Sequence, residues 1–312
     1  MNITTLPRRA FLRTSLLAAL QPVSGALAQA SGAGWIDAHV HVWSPNTQRF
    51  PLAVNAKRSD MQPPSFTPEE LFAHSKPSGV DRIVLIQMSF YGYDNSYMLQ
   101  MMETHPGVFG GVAIVDETLP DVVATMKALA AKGVRGFRIY TSKTSAESWS
   151  KSDGMKAMWS YAADADLAMC LLADPEALPA VQRMCKEYPK TKVVVDHFAR
   201  IGVKGTMSEA DVENLCRLAD FKHTHVKTSA FYALGSKKPP HTDLGPMIRR
   251  LRDIYGARRL MWGSDCPYQV EAGHTYADSI TLVRDQLDFL TPEDKEWMLR
   301  KTAENLFFPS LR

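Results

Sequence analysis

The chain has 312 residues, of which 45% are hydrophobic and 22% are charged, and its formal net charge is +3. This composition is typical of a globular protein that is long enough to bury one large core. The excess of Lys and Arg is small and scattered, which argues against a nucleic-acid-binding protein. We therefore expect a small-molecule partner, and the sequence does not indicate an oligomeric state.

The first thirty residues have the organisation of an export signal. Arg8 and Arg9 precede an apolar stretch over residues 14–28, which ends among small residues. This order is typical of a cleaved signal peptide, and the paired arginines followed by Phe-Leu resemble a twin-arginine signal. The apolar stretch is too short to remain as a membrane anchor. We therefore predict residues 1–30 as the signal and residues 31–312 as one mature domain located in the periplasm.

The first predicted strand, Trp35 to Trp43, carries two histidines two residues apart. Alternate side chains of a strand share a face, so Asp37, His39 and His41 are predicted to point one way and the apolar residues between them the other. The two imidazoles then converge on one point, as in a binding or catalytic site. Two surface histidines on an edge strand are the alternative interpretation.

Seven further strand-like runs follow the first one. Helical patterns separate several of them, including residues 119–131, 153–165, 175–188 and 208–219. Eight strands that alternate with helices over roughly 270 residues predict a single-domain α/β protein with the (β/α)8 TIM-barrel fold, for which about 250 residues is typical. A doubly wound open sheet is the alternative, but no glycine-rich dinucleotide-binding motif follows the first strand. The runs are residues 81–90, 108–115, 133–140, 167–173, 192–198, 225–234 and 260–266.

Local signals between the strands refine this picture. Thr67-Pro68 and Asp174-Pro175 each place a capping side chain before a proline at the start of a helix. The segment from Ser44 to Pro68, with five prolines, is either a lid over the site or an inert surface loop. The four cysteines show no Cys-x-x-Cys spacing, so they are predicted to be single buried thiols without a zinc-cysteine site.

Polar residues occur at the ends of several predicted strands, where a barrel of this kind places its active site. Strand alternation assigns His197, Asp265 and Arg138 to inward faces of the sixth, eighth and fourth strands. Each of these residues alone has an ordinary structural explanation, such as a helix cap or a core histidine. Together with the histidine pair of the first strand, these inward polar positions at one barrel mouth favour a functional site.

Three segments resemble the amidohydrolase superfamily: Ile-Asp-Ala-His-Val-His at 36–41, Val-Asp-His-Phe-Ala-Arg at 195–200 and Met-Trp-Gly-Ser-Asp-Cys-Pro-Tyr at 261–268. The stretches at 87–95 and 133–138 are also similar, more narrowly to the 2-pyrone-4,6-dicarboxylate lactonase and sugar lactonase branch. The resemblance covers nearly all of the mature chain. It implies a lactone-opening hydrolase of the carboxylic ester type.

The resemblance also implies roles for individual residues. Asp265 would take a proton from the attacking water, and the catalytic histidines would polarise the carbonyl, directly or through a metal. The histidines concerned are His39, His41 and His197. Arg138 and Arg200 suggest an anionic, carboxylate-bearing substrate, with a salt bridge as the alternative use of Arg200. The remaining predicted substrate-binding residues are Tyr91, Asn95 and Tyr268.

The expected cofactor is none, or one divalent metal such as zinc. His39, His41, His197 and Asp265 have the donor types that hold a mononuclear zinc ion. Metal-dependent relatives usually place a further histidine or lysine on the fourth or fifth strand, where this chain has Arg138 and an apolar run. This difference argues against a binuclear centre and leaves a mononuclear one open.

Two other functions stay open from the sequence: a zinc-dependent decarboxylase of the same superfamily and a non-catalytic periplasmic binding protein. The remaining histidines near the predicted barrel are excluded from the site. His223 and His225 precede the seventh strand and belong to the opposite end of the barrel, while His241 and His274 fall in loops.

Overall fold

The computed structural model describes Met1 and residues 34–308, so the predicted signal segment lies outside the described residues. Between residues 34 and 308, eight parallel strands form one sheet in chain order, which confirms the predicted (β/α)8 fold. Val40 pairs with Cys266, and the amide of His41 donates to the carbonyl of Cys266 at 2.8 Å, so the first and last strands meet. The strands are β1 (Trp35–Val40), β2 (Val80–Ile86), β3 (Phe109–Ala113), β4 (Val134–Thr141), β5 (Ala168–Ala173), β6 (Lys192–Val195), β7 (Thr224–Ser229) and β8 (Leu260–Gly263).

Helices connect the strands and cover the outside of the sheet. Among residues 34–308 we find no helix with both the length and the apolar character that a membrane span requires. The α-helices are α1 (Pro68–Ser75), α2 (Ser96–Thr104), α3 (Val122–Ala131), α4 (Lys143–Ser148), α5 (Asp153–Asp164), α6 (Leu178–Glu187), α7 (Glu209–Arg217), α8 (Gly245–Tyr255), α9 (Tyr276–Thr281), α10 (Pro292–Glu296) and α11 (Thr302–Phe307).

The buried apolar residues form two clusters, one outside and one inside the barrel. The larger cluster lies between the strands and the helices. The smaller one collects residues from six strands and from α11, so it fills the barrel interior. Gly110, near the start of β3, has the carbonyl of Phe307 3.0 Å from the position that a Cβ would take. The last helix therefore closes the N-terminal end of the barrel, and the opposite end is left for a site.

Two of the predicted strand faces are wrong. On β1, Ile36 and Ala38 belong to the interior cluster, while Asp37 points away and accepts hydrogen bonds from the amide of Ser264 at 2.8 Å and the hydroxyl of Tyr276 at 2.7 Å. A register irregularity between Asp37 and Val40 then shifts the alternation, so that both histidines still face inward.

On β6 the inward residue is Val194, whereas Val193 and Val195 pack in the outer cluster. His197 still reaches the interior because the chain leaves regular strand geometry at Asp196. The prediction that His197 lies inside the barrel is therefore confirmed, but the regular strand geometry from which it was derived is wrong.

The local signals have mixed outcomes. Thr67 caps α1 through a reciprocal pair of hydrogen bonds with Glu70, as predicted. Asp174 makes no capping bond, and its carboxylate binds Arg200 instead. The four cysteines are unpaired and buried.

Candidate active site

The site is centred on one carboxylate oxygen at the C-terminal end of the barrel. Oδ1 of Asp265 lies 3.3 Å from Nε2 of His41, 3.5 Å from Nε2 of His39 and 3.8 Å from Nε2 of His197. All four side chains are nearly or fully buried. The structure thus brings together the four residues that the sequence predicted as catalytic.

Left-handed backbone conformations aim two of these side chains. His197, Phe198, Ala199 and Arg200 all have positive φ, between 51° and 56°, and φ of Asp265 is 67°. A left-handed turn costs L-residues about 1–2 kcal/mol each. Phe198 and Ala199 have no exposed surface, so burial of this turn offsets the strain. The turn directs His197 inward and Arg200 toward the rim.

The three imidazoles differ in what holds their second nitrogen. Nδ1 of His41 lies 2.8 Å from the carbonyl oxygen of Ile86, and Nδ1 of His197 lies 2.8 Å from Oγ of Ser229. Nδ1 of His39 instead lies 3.2 Å from Nζ of Lys227. These contacts fix the ring orientations.

The environment keeps Asp265 ionised. Burial alone would raise the pKa of its carboxyl, but the neighbouring imidazoles of His197, His41 and His39 hold that pKa well below its usual range. The hydroxyl of Tyr232 donates to Oδ2 of Asp265 at 2.8 Å. Burial, together with Asp265, raises the pKa of Tyr232, so the phenol stays a donor. Asp265 is therefore ionised, and its Oδ1 faces the three imidazoles.

A buried ion pair lies below the imidazoles. Nζ of Lys227 is 3.1 Å from Oδ1 of Asp196, and neither residue has exposed surface. Burial opposes ionisation of Asp196, but Lys227 and His39 hold the pKa of this carboxyl well below its usual range. Burial in turn lowers the pKa of His39 well below its ordinary value, and the Lys227 charge lowers it further, so the ring is neutral.

Sequence reasoning missed Lys227, Asp196 and Tyr232. The signal for Lys227 is a charged residue that shares a strand face with Ser229 inside the predicted seventh strand. Asp196 lies within the motif around His197, where attention went to the histidine. Tyr232 follows β7 in a short helical turn, for which the sequence offers no comparable signal.

A cavity of about 290 Å³ opens above Asp265. Its walls include His41, His197, Asp265, Arg138, Tyr232 and Tyr268, whereas His39 lies behind them. A second cavity of about 340 Å³ adjoins it and shares His41, Arg138 and Leu172. None of the residues that line these two cavities comes from the loop between Ser44 and Pro68. Residues 53, 55, 56 and 60 of that loop line a third cavity, which shares Met88 and Ser89 with the second.

The two predicted carboxylate-binding arginines are in different situations. Arg138 lines both cavities, and its guanidinium makes no hydrogen bond or ion pair with another residue among residues 34–308. Arg200 also lines the first cavity, but its guanidinium binds the carboxylate of Asp174, with Nε 2.9 Å from Oδ1. Arg138 is therefore the guanidinium available to a ligand.

Tyr91 and Asn95 lie outside both cavities. The hydroxyl of Tyr91 accepts from the amide of Ser44 at 3.2 Å, and the side chain of Asn95 bonds both the amide and the carbonyl of Ile114. Their polar atoms hold the loop after β2 in place. Of the three other substrate-binding residues that were predicted, the structure brings only Tyr268 to the cavity.

The donor set fits one divalent cation. His39, His41 and Asp265 offer ligand atoms within 4.8 Å of one another, and the buried Nε2 of His39 has no hydrogen-bond partner. Two ligands at about 2.0–2.1 Å from a tetrahedral zinc ion lie roughly 3.4 Å apart. The distances from Asp265 to His41 and His39 are close to that value.

Comparisons with known proteins bear on the family and on the fold. A family model described as amidohydrolase matches residues 36–308. An L-fucono-1,5-lactonase from Burkholderia ambifaria is 29% identical over 243 residues, which cover 77% of this chain and 82% of that protein. A 2-pyrone-4,6-dicarboxylate hydrolase from Comamonas testosteroni is 26% identical over 291 residues, or 89% and 91% of the two chains. The crystal structure of an amidohydrolase from Burkholderia multivorans with bound zinc superposes with a TM-score of 0.73 at 18% identity, covering 88% of this chain and 99% of that one.

Proposed function

Since the chain belongs to the amidohydrolase family, we propose that it hydrolyses a lactone that bears a carboxylate group. The observation that carries this proposal is the ionised carboxylate of Asp265, which faces three imidazoles and lines the first cavity. The relatives named as lactone hydrolases support the same reaction class.

In the proposed reaction the lactone carbonyl lies beside His41 and His197, and Arg138 binds the carboxylate. Asp265 removes a proton from water, which attacks the carbonyl carbon. A proton on Nε2 of His41 or His197 makes that nitrogen a donor to the developing oxyanion. The ring C–O bond then breaks, and the proton held by Asp265 passes to the leaving oxygen. The product is a hydroxy acid.

A metal ion would add to this chemistry without changing the residues involved. His39, His41 and Asp265 would hold it, with His197 beside them. A divalent cation bound there would act as a Lewis acid on the carbonyl.

The decisive experiment is a lactone panel assayed with the purified protein, before and after chelation and with zinc restored. The panel contains neutral and carboxylate-bearing lactones, and release of hydroxy acid is measured by titration. We expect turnover to be fastest with a carboxylate-bearing lactone. Absence of turnover with every lactone in every metal state, or release of carbon dioxide from aromatic acids instead, would overturn the proposal.

We also propose that residues 1–30 direct export and are removed. The support is the order of charged, apolar and small residues in that segment. N-terminal sequencing of protein from the periplasmic fraction tests this proposal. We expect a mature start near residue 29 or 31, and replacement of Arg8 and Arg9 by lysine should leave the uncleaved protein in the cytoplasm.

A further inference from the structure

The mechanism above uses the first cavity and gives no role to the second one. The second cavity has a volume of about 340 Å³ and shares His41 and Arg138 with the first. A lactone that is attacked beside Asp265 therefore has the second cavity next to it. An apolar cavity of about 150 Å³ is enough to hold a benzene ring, so the second cavity has room for a substituent of that size.

The part of the second cavity that is shielded from water is apolar. The side chain of Met88 is buried, and those of Ile114 and Leu172 are partly buried. A hydroxylated substituent would lose its hydration against these side chains without gaining hydrogen-bond partners, which is unfavourable. Apart from the two residues shared with the first cavity, the polar side chains of the wall are exposed, and they belong to Ser89, Tyr93 and Tyr140. The wall therefore fits an apolar substituent better than a sugar-like one.

Two tyrosines give this cavity an aromatic edge. Tyr93 follows β2 and is 56% exposed, and Tyr140 lies near the end of β4 and is 64% exposed. An aromatic ring at a cavity can pack against a ring of the ligand, and such pairs contribute beyond the area that they bury. The two tyrosines thus favour an aromatic substituent over an aliphatic one.

The surface around the cavities has the same character. Six large apolar side chains among residues 34–308 are exposed, and one of them, Ile254, belongs to α8. The other five lie at or after the C-terminal ends of five different strands, and they are Val54, Tyr93, Leu119, Tyr140 and Val203. Exposed apolar groups that gather at one place indicate contact with an apolar ligand or partner. This end of the barrel therefore presents apolar groups to a molecule that enters the cavities.

The charges at the two cavities fit one carboxylate. Arg138 lines both cavities, and its guanidinium has no ion-pair partner among residues 34–308. Arg200, the other arginine of the two walls, binds the carboxylate of Asp174. No lysine of the described chain lines either cavity. A second carboxylate on the substrate would therefore enter without an unpaired arginine or lysine to bind it.

We propose that the second cavity is the subsite for an aromatic substituent, so that the substrate is a lactone with one carboxylate and one aryl group. The ester lies beside Asp265 in the first cavity, and the carboxylate binds Arg138, which lines both cavities. The aryl ring packs against Met88 and Ile114, with the two tyrosines at its edge. The inference rests on the proposed function for the lactone, and it goes further by naming the substituent.

The test uses five-membered lactones that share one ring and one carboxylate and differ in a single substituent. The substituents are methyl, phenyl, trihydroxypropyl and a second carboxylate, and kcat/KM is measured for the purified protein with and without added zinc. We expect kcat/KM for the phenyl lactone to exceed that for the methyl lactone about 10- to 100-fold, because the ring is removed from water. The other two lactones should be poorer than the methyl lactone. A methyl, hydroxylated or dicarboxylate lactone that matches the phenyl lactone would overturn the inference.

The double variant Tyr93→Ala/Tyr140→Ala tests the aromatic edge. Both side chains are exposed, so their removal should leave the fold intact. We expect the ratio of kcat/KM between the phenyl and methyl lactones to fall about 10-fold, because two ring contacts are lost. Ile254→Ala is the matched control, since Ile254 is 44% exposed but lines neither cavity, and it should leave the ratio unchanged. An unchanged ratio in the double variant would contradict an aryl substituent at this edge. If the double variant fails to fold, the substrate series on the unsubstituted protein still decides.

Calorimetry separates this inference from the proposed function. The ring-opened hydroxy acids of the phenyl and methyl lactones bind without being turned over, and their Kd values are compared by isothermal titration. We expect the phenyl acid to bind about 10-fold more tightly or better. If no lactone is opened, the proposed function fails, and a lower Kd of the phenyl acid still supports the subsite. Equal or undetectable binding of the two acids would rule the subsite out.

Discussion

The inside of the barrel has two levels of charge that differ in access and in pairing. The lower level, His39, Asp196 and Lys227, has no exposed surface, and its polar atoms lie 3.1 to 3.4 Å from one another. The upper level, which lines the cavity, includes Asp265, Tyr232 and the unpaired Arg138. The difference teaches that charge alone does not identify a substrate-binding residue. A buried and paired charge organises its neighbours, whereas an unpaired charge at a cavity is available to a ligand.

The largest expected effect is on the upper level. Asp265→Asn removes the base and keeps the shape of the side chain, so kcat should fall about 10²- to 10⁴-fold. The hydrogen bond from Tyr232 can persist on the amide oxygen, and KM should change little. Initial rates of lactone opening measure the effect. Retained activity in a correctly folded variant would contradict the role of Asp265.

The next largest effect is expected in the lower level, and it is an effect on the free energy of unfolding. Asp196→Asn leaves the Lys227 ammonium buried without a counter-charge, so the free energy of unfolding should fall by about 3–5 kcal/mol. Asp166→Asn removes an exposed partner of Lys192 and should cost less than about 1 kcal/mol. Urea unfolding measures both. Equal losses in the two variants would show that breaking the buried Lys227–Asp196 pair destabilises the protein no more than breaking the exposed Lys192–Asp166 pair.

The two arginines provide a comparison within the upper level. Arg138→Met should raise KM for a carboxylate-bearing lactone about 10- to 100-fold, because it removes a charge-assisted hydrogen bond to the substrate. Arg200→Met should raise KM less, because Asp174 already binds that guanidinium. Steady-state kinetics with a neutral lactone are the control, and both variants should resemble the unsubstituted enzyme there. A larger increase in KM for Arg200→Met than for Arg138→Met would show that Arg200 is the main carboxylate-binding residue.

The smallest effect concerns the end of the barrel opposite to the cavity. His225 lies near the start of β7, and burial lowers its pKa to about 4. The unfolded chain takes up this proton below about pH 6.5 and the folded chain does not until about pH 4, so stability falls as the pH falls between these values, by about 1–3 kcal/mol.

His225→Gln should reduce this loss of stability and leave the pH dependence of kcat/KM unchanged. Urea unfolding at pH 7 and pH 5, with rate measurements at the same pH values, tests both statements. A change in the activity profile would mean that the two ends of the barrel are coupled.

The sequence predicted the barrel and the four central residues because their signals are strong and local. Eight apolar runs alternate with helical patterns, and His39, His41, His197 and Asp265 lie in motifs at strand ends. The details of how His197 arrives there were not accessible. Strand alternation assumes regular backbone, and four consecutive left-handed residues without glycine are too rare for a pattern to predict.

The partners of charged residues were also beyond the sequence. Asp174 has the position of a helix cap, and nothing local indicates that its carboxylate binds Arg200, which lies 26 residues later. To identify Lys227 as a residue of the site, one must know that its side chain contacts Asp196 and His39, which are distant in sequence. Pair formation depends on the register of the whole barrel, whereas the sequence patterns that we used describe one element at a time.

The hydrogen bonds of Asp37 have a consequence for how the chain folds. This carboxylate binds the amide of Ser264 and the hydroxyl of Tyr276, residues that follow it by 227 and 239 positions. During synthesis these two hydrogen bonds cannot form until Ser264 and Tyr276 have left the ribosome, which requires almost the whole chain. Contacts of such long sequence separation slow folding. The native state of this barrel is reached only after translation is nearly complete.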